Sequence, residues 1–254
     1  MLEKYIKNRL EQKDILLMTH IVIGYPDIET SYQIVKTMVE SGVDMMELQI
    51  PFSEPIADGP VILHANQISL ANNISIAECF NFAEKITRDF NIPFLIMSYL
   101  NVMFKFGVDS FCLKMKNLGI KGAIIPDLPL EESSVYTQAM QQNQLDPIFL
   151  YSPSTPFERM QSIAESSQGF IYCVARKGVT GQKTDFAQTL EQYLKQCRRA
   201  TDLPLALGFG VKEKKDIYFL KNKAEIAVIG TQAIRVFNQK GTKALGNFLS
   251  SLLN

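Results

Sequence analysis

The chain has no tryptophan, although it carries 16 phenylalanines and 9 tyrosines, and it has only two histidines, His20 and His64. Neither histidine has a second ligand at metal spacing, so no metal centre is expected and both read as structural. Cysteine is also scarce. Cys79, Cys112, Cys173 and Cys197 lie far apart, and no pair shows the two-residue spacing of a zinc or redox motif. They read as reduced, mostly buried thiols. Net charge is lacking too, because 26 basic residues balance 26 acidic ones. With no global field to draw nucleic acid or an anionic membrane, a small molecule or a protein is the expected partner. No apolar stretch approaches the roughly 20 residues of a membrane span. Met1 to Tyr5 lacks the apolar run of a signal peptide. The expectation is a soluble, cytoplasmic protein.

The 254 residues could hold two small domains or one closed β/α barrel. No Pro/Gly/Ser linker or charge run divides them. Short runs rich in Ile, Leu, Val and Phe alternate with longer amphipathic segments, the pattern of repeated β/α units around a parallel sheet. Eight such strands are expected: Ile15 to Gly24, Asp44 to Ile50, Pro93 to Tyr99, Gly122 to Asp127, Pro147 to Ser152, Phe170 to Ala175, Pro204 to Gly210 and Ile226 to Thr231. Helices are expected at Thr30 to Glu40 and Glu131 to Gln142, with glycines closing helix-to-strand joints at Gly42, Gly119 and Gly169. The long stretch before Pro93 has room for two helices. The pattern favours one α/β domain over residues 1–254, an eight-stranded (β/α)8 barrel with an extra helix after strand 2; an open doubly wound sheet is the alternative.

In such a barrel the chemistry sits at the C-terminal ends of the strands. Glu47 lies inside an otherwise apolar strand, pointing either outward into a salt bridge or inward, where burial would poise it for proton exchange. The loop that follows, Pro51 to Pro60, is stiffened by prolines and carries Asp58. That carboxylate either caps the next helix or is presented to a substrate at a fixed angle. Gly208-Phe209-Gly210 and Gly230-Thr231 end the last two strands, where bare amides ahead of a helix suit a phosphate. A third glycine segment, Lys177 to Thr184, reads as a loop able to close over a ligand, with Lys177 a solvated side chain. The residues alone thus point to a barrel enzyme for a phosphorylated substrate that uses carboxylate acid/base chemistry without a metal.

The run Glu47-Leu48-Gln49-Ile50-Pro51-Phe52-Ser53-Glu54-Pro55-Ile56-Ala57-Asp58-Gly59-Pro60 is similar to the E-L-G-x-P-F-S-D-P-x-A-D-G-P of tryptophan synthase alpha chains. It is joined in order by Tyr99-Leu100-Asn101, Pro126-Asp127-Leu128-Pro129, Arg176 with Gly178-Val179-Thr180-Gly181, and Gly208-Phe209-Gly210. The resemblance implies a TIM barrel that cleaves indole-3-glycerol phosphate to indole and glyceraldehyde 3-phosphate in tryptophan biosynthesis. Glu47 would be the acid/base and Asp58 the acceptor for the indole N–H. Tyr172, Met97, Tyr99, Ile124 and Leu150 would line the substrate, and Thr180 would help orient Asp58. Gly181, Phe209, Gly210, Gly230 and Thr231 would surround the phosphate. It also implies an α2β2 assembly with a beta chain that carries pyridoxal phosphate, faced by Glu54, Pro55 and Asp127, and no cofactor in this chain. The absence of tryptophan suits an enzyme made when that amino acid is scarce. Against the family pattern, Gln49 stands for a glycine, Glu54 for an aspartate, Val22 and Tyr25 for a threonine and an aspartate, and Thr231 for a serine. Two variants of the reading stay open: an alpha chain that mainly activates its beta chain, and a stand-alone indole-releasing lyase.

Overall fold

The computed structural model describes residues 1–174, 183–208 and 210–253, with the side chains of residues 183–188 left aside. Among them are nine parallel strands: β1 (Leu16–Val22), β2 (Met45–Gln49), β3 (Phe94–Met97), β4 (Gly122–Ile124), β5 (Asp146–Ile148), β6 (Leu150–Tyr151), β7 (Ile171–Val174), β8 (Leu205–Gly208) and β9 (Ile226–Ile229). Their order, β5-β4-β3-β2-β1-β9-β8-β7-β6, places at the two edges two segments separated in the chain only by Phe149. β5 pairs with β4 and β6 with β7, so together they form one interrupted strand that closes the sheet. The fold is an eight-stranded β/α barrel, as the alternation of segments predicts, and the open sheet is excluded.

The helices are α1 (Leu2–Leu10), α2 (Ile28–Glu40), α3 (Pro60–Ala71), α4 (Ile76–Asp89), α5 (Leu100–Phe106), α6 (Val108–Asn117), α7 (Ser134–Gln142), α8 (Phe157–Ser166), α9 (Lys183–Ala200), α10 (Lys214–Leu220) and α11 (Thr231–Leu253, kinked at Gly241). Helix α2 starts earlier than expected because the Asp27 side chain accepts from Thr30 N at 2.8 Å and caps it. The extra helix after β2 is real: α3 and α4 both precede β3, and α4 opens with a Ser75/Glu78 capping box. The helix expected from Glu131 divides into a 3-10 turn, Leu130–Glu132, and α7, with the Ser133 hydroxyl bonded back to Leu130 O at the break. Gly42, which joins α2 to β2, has φ +90°, a conformation that a side chain disfavours.

Side chains alternate across each strand, which sorts the strands' apolar residues into two sets. Leu17, Ile21, Met46 and Leu48 pack under the helices, while Leu16, Met18, Met45, Leu95, Ile124, Phe170, Ala206 and Val228 fill the barrel interior. Leu2 and Ile6 of α1 join that interior cluster and stop its lower end. The plug is fastened by Asp146 at the start of β5, which accepts from Leu2 N at 2.7 Å and pairs with the terminal ammonium.

Candidate functional site

With the lower end sealed, the upper ends of the strands enclose an open cavity of about 870 Å³. Parallel pairing of β1 with β2 aligns Met18 with Met45, His20 with Glu47 and Val22 with Gln49. Because Met18 and Met45 point inward, so do His20, Glu47 and Gln49 two and four residues later. Glu47 therefore takes the inward alternative, with no solvent exposure at all. Its Oε2 lies 2.9 Å from His20 Nδ1, and its Oε1, also buried, has no hydrogen-bond partner among the described residues.

Asp58 does not cap α3, whose N-cap is Gly59 without a side-chain bond. Instead its Oδ2 accepts from Gln49 Nε2 at 2.7 Å. Burial raises the Asp58 pKa above the ordinary carboxylate value, and the charge of His20 with the Gln49 and Tyr99 hydrogen bonds only partly offsets this. At His20 burial opposes the charged ring, yet the hydrogen bond and charge of Glu47, with smaller help from Asp58 and Gln49, outweigh it and raise the imidazole pKa. The Tyr172 phenol is pushed well up by burial first and by the nearby Glu47 charge second.

The cavity collects His20, Glu47, Asp58, Met97, Ile124, Leu150, Tyr172, Gly210, Gly230 and Thr231. Tyr99 does not line it. It is fully buried behind the Asp58 loop, stacked on Phe52 with ring centroids 5.1 Å apart, and its hydroxyl accepts from Ala57 N at 3.1 Å. Its place is that of a buttress, unlike the direct contact that the sequence suggests. Thr180, Gly181 and Phe209, together with Arg176 and Lys177, lie outside the described residues. Glu54 is exposed and Pro55 buried, while Ile56 beside them is 75% exposed. Asp127 is half-buried and accepts from Leu100 N at 2.8 Å at the start of α5.

Three cations on the cavity wall, Arg159, Lys212 and Arg235, belong to none of the motifs named from the sequence. Arg159 is tied to Glu131 by two hydrogen bonds, whereas Lys212 and Arg235 line the end that also holds Gly210, Gly230 and Thr231. Helix periodicity places Arg235 one turn beyond Thr231, on the same face, which was the signal available for it. His20, read from the sequence as structural, lines the cavity beside Glu47; the signal for that was its place two residues after inward Met18. Glycine is needed at Gly208, where a Cβ would sit 2.2 Å from the Tyr172 ring. Among the described residues no group of three His, Cys, Asp or Glu side chains is arranged to hold a metal, and no helix is long and apolar enough to cross a membrane.

The arrangement offers a buried carboxyl with one free oxygen, a second carboxylate, an apolar sleeve and a glycine-rich cationic end. Comparison with known proteins points the same way. The family model described as tryptophan synthase alpha chain matches residues 6–248. A tryptophan synthase alpha chain from Syntrophotalea carbinolica is 59% identical over 99% of this chain and 100% of its own length. Another, from Desulforapulum autotrophicum, is 57% identical over the same shares. Among solved structures, a tryptophan synthase from M. tuberculosis in an aminoacrylate-bound form superposes with TM-score 0.90 at 26% identity, covering 99% of this chain and 97% of that one. A tryptophan synthase alpha chain from Legionella pneumophila gives TM-score 0.89 at 28% identity, covering 99% and 95%.

Proposed function

The chain belongs to the tryptophan synthase alpha chain family, whose reaction is the lyase cleavage of indole-3-glycerol phosphate, and on that premise we propose that Glu47 and Asp58 perform it here. The observation that carries the assignment is the free Oε1 of a fully buried Glu47, facing the same cavity as Asp58. Glu47 gives a proton to the indole carbon that bears the glycerol chain, producing an indolenine. The same carboxylate then takes the proton of the hydroxyl on the adjacent side-chain carbon as the carbon–carbon bond breaks. Indole and glyceraldehyde 3-phosphate leave, and the carboxyl is again protonated. Asp58 accepts from the indole N–H and offsets the positive charge that develops on that ring during protonation. Both the acid and the base come from the protein, so the chemistry draws on no cofactor in this chain.

Met97, Ile124, Leu150 and Tyr172 supply the apolar walls for the indole ring. The phosphate lies at the opposite end, on the amides of Gly210, Gly230 and Thr231 at the head of α11, with Lys212 and Arg235 adding positive charge. Tyr99 serves indirectly, by holding the Asp58 loop. A beta chain carrying pyridoxal phosphate docks against Asp127 and the loop of Glu54 and Pro55 in an α2β2 complex; buried Pro55 shapes that loop, and the exposed Glu54 and Ile56 offer the contacts. The chain acts as one barrel domain over residues 1–254, in the cytoplasm.

Indole release from indole-3-glycerol phosphate, measured with and without a beta chain, tests the assignment. Glu47→Gln keeps the shape but cannot cycle a proton, so turnover should fall to background in both conditions. Turnover within tenfold of the parent would remove Glu47 from the chemistry.

A further inference from the structure

The proposed acid/base steps leave two buried polar side chains without a task, His20 and Gln49. We propose that these two residues form a positioning relay that ties Glu47 to Asp58 and fixes which oxygen of each carboxyl meets the substrate. The inference rests on the roles assigned above to those carboxyls. Register places His20 directly beside Glu47, and Gln49 follows two residues along β2 on the same inward side. At one end, His20 Nδ1 holds Glu47 Oε2 at 2.9 Å; at the other, Gln49 Nε2 holds Asp58 Oδ2 at 2.7 Å. Each contact occupies one carboxyl oxygen, and on Glu47 it leaves Oε1 as the atom free to exchange a proton.

Between these ends, His20 Nε2 and Gln49 Oε1 are both buried and make no hydrogen bond of ordinary geometry with any other group among the described residues. They are complementary, since an imidazole N–H donates and an amide oxygen accepts. With Nδ1–H committed to Glu47, Nε2 carries a hydrogen only when the ring is an imidazolium. The relay is then continuous, and its cation stands between the two carboxyl groups. The Gln49 amide does favour the charged ring, as do Glu47 and Asp58. Among the described residues, the charged and titratable groups around the ring are Glu47 from β2, Asp58 from the loop after it, and Tyr172 of β7, which neighbours Glu47. β9 contributes none, because Gly230 faces the ring there, and a Cβ on it would lie 3.3 Å from His20 Cβ. Among the described residues, no other cationic side chain is ion-paired with either carboxylate.

Steady-state kinetics of indole release tests the relay with His20→Phe, which fills the space without a donor, His20→Asn, which keeps one N–H near Nδ1, and Gln49→Leu, which removes the amide. His20→Phe and Gln49→Leu should each lower kcat on the order of 100-fold, the scale of a carboxyl misplaced by about 1 Å, with KM changed less than about threefold. His20→Asn should recover at least about tenfold of the kcat lost in His20→Phe. Because a broken relay is broken once, the double variant should be no slower than the slower single, within about threefold. In a His64→Asn background, which leaves one imidazole, the ring nitrogens of His20 should show the imidazolium pattern by 15N NMR near neutral pH. Multiplying effects, a change in KM alone, no recovery with asparagine, or a neutral ring would each overturn the relay. Inactive Glu47→Gln alongside normal His20 and Gln49 variants would refute the relay and spare the assignment of Glu47. An active Glu47→Gln would refute both.

Discussion

Replacing Gly208 by alanine should harm stability and turnover through one neighbour, Tyr172. A Cβ at this point in β8 would lie 2.2 Å from Tyr172 Cε1 and 2.7 Å from its Cζ and hydroxyl. Ordinary contact begins near 3.4 Å, so the ring must retreat by about 1.2 Å. The backbone gives little relief, because Gly208 is paired with Val174 in the β7–β8 ladder. The open direction is the cavity itself, which Tyr172 lines together with Glu47. Overpacking of this kind costs about 1–3 kcal/mol. For a chain of this size each kcal/mol lowers Tm by roughly 2–4 °C, so a clear drop should appear in a thermal melt. Because the displaced ring intrudes on the space proposed for indole, kcat/KM for indole release should fall on the order of 100-fold. The control is Tyr172→Ala, which removes the obstructing atoms; in that background Gly208→Ala should leave Tm nearly unchanged. An equal Tm penalty in both backgrounds, or a Gly208→Ala protein with parental Tm and turnover, would refute the reasoning.

Asp58→Asn should lose most turnover and yet melt at a higher temperature than the parent near neutral pH. The folded-state pKa of Asp58 is raised from 3.8 by burial, so its ionised form costs the fold stability. That cost is absent below pH 3.8, where folded and unfolded states are both protonated, grows as pH rises through the raised value, and is complete above it. The stability gain of the variant should therefore vanish in acid, and a variant less stable than the parent at neutral pH would contradict the sign. Leu2→Ala tests the plug: a side chain 1% exposed in the barrel interior should cost about 2–5 kcal/mol in urea unfolding, and a loss under about 1 kcal/mol would mean that α1 does not seal the barrel.

How much of the site was legible varies residue by residue. Glu47 was visible as a carboxyl in an apolar strand, but its direction was open, because side-chain alternation gives two faces without saying which is inside. Met45, two residues earlier in the barrel cluster, fixes the inward side. Asp58 was visible in a proline-stiffened loop, and what separates a helix cap from a presented carboxylate is its bond to Gln49, nine residues before it. The resemblance implies a substrate contact for Tyr99, whereas its stacking on Phe52 turns it behind the loop. The interruption of the fifth strand at Phe149 left no mark in a run that is apolar throughout.

By itself the sequence determined the eight alternating units and the motif around Glu47 and Asp58, because these depend on local hydrophobic period, turn residues and short spacing; each strand ends one to three residues before its apolar run suggests. Only the tertiary structure decided that His20 meets Glu47, that Gln49 reaches Asp58, and that Lys212 and Arg235 share a wall with Gly230. Those contacts join residues from separate strands and helices. They follow from strand register and from closure of the sheet, which no local period encodes.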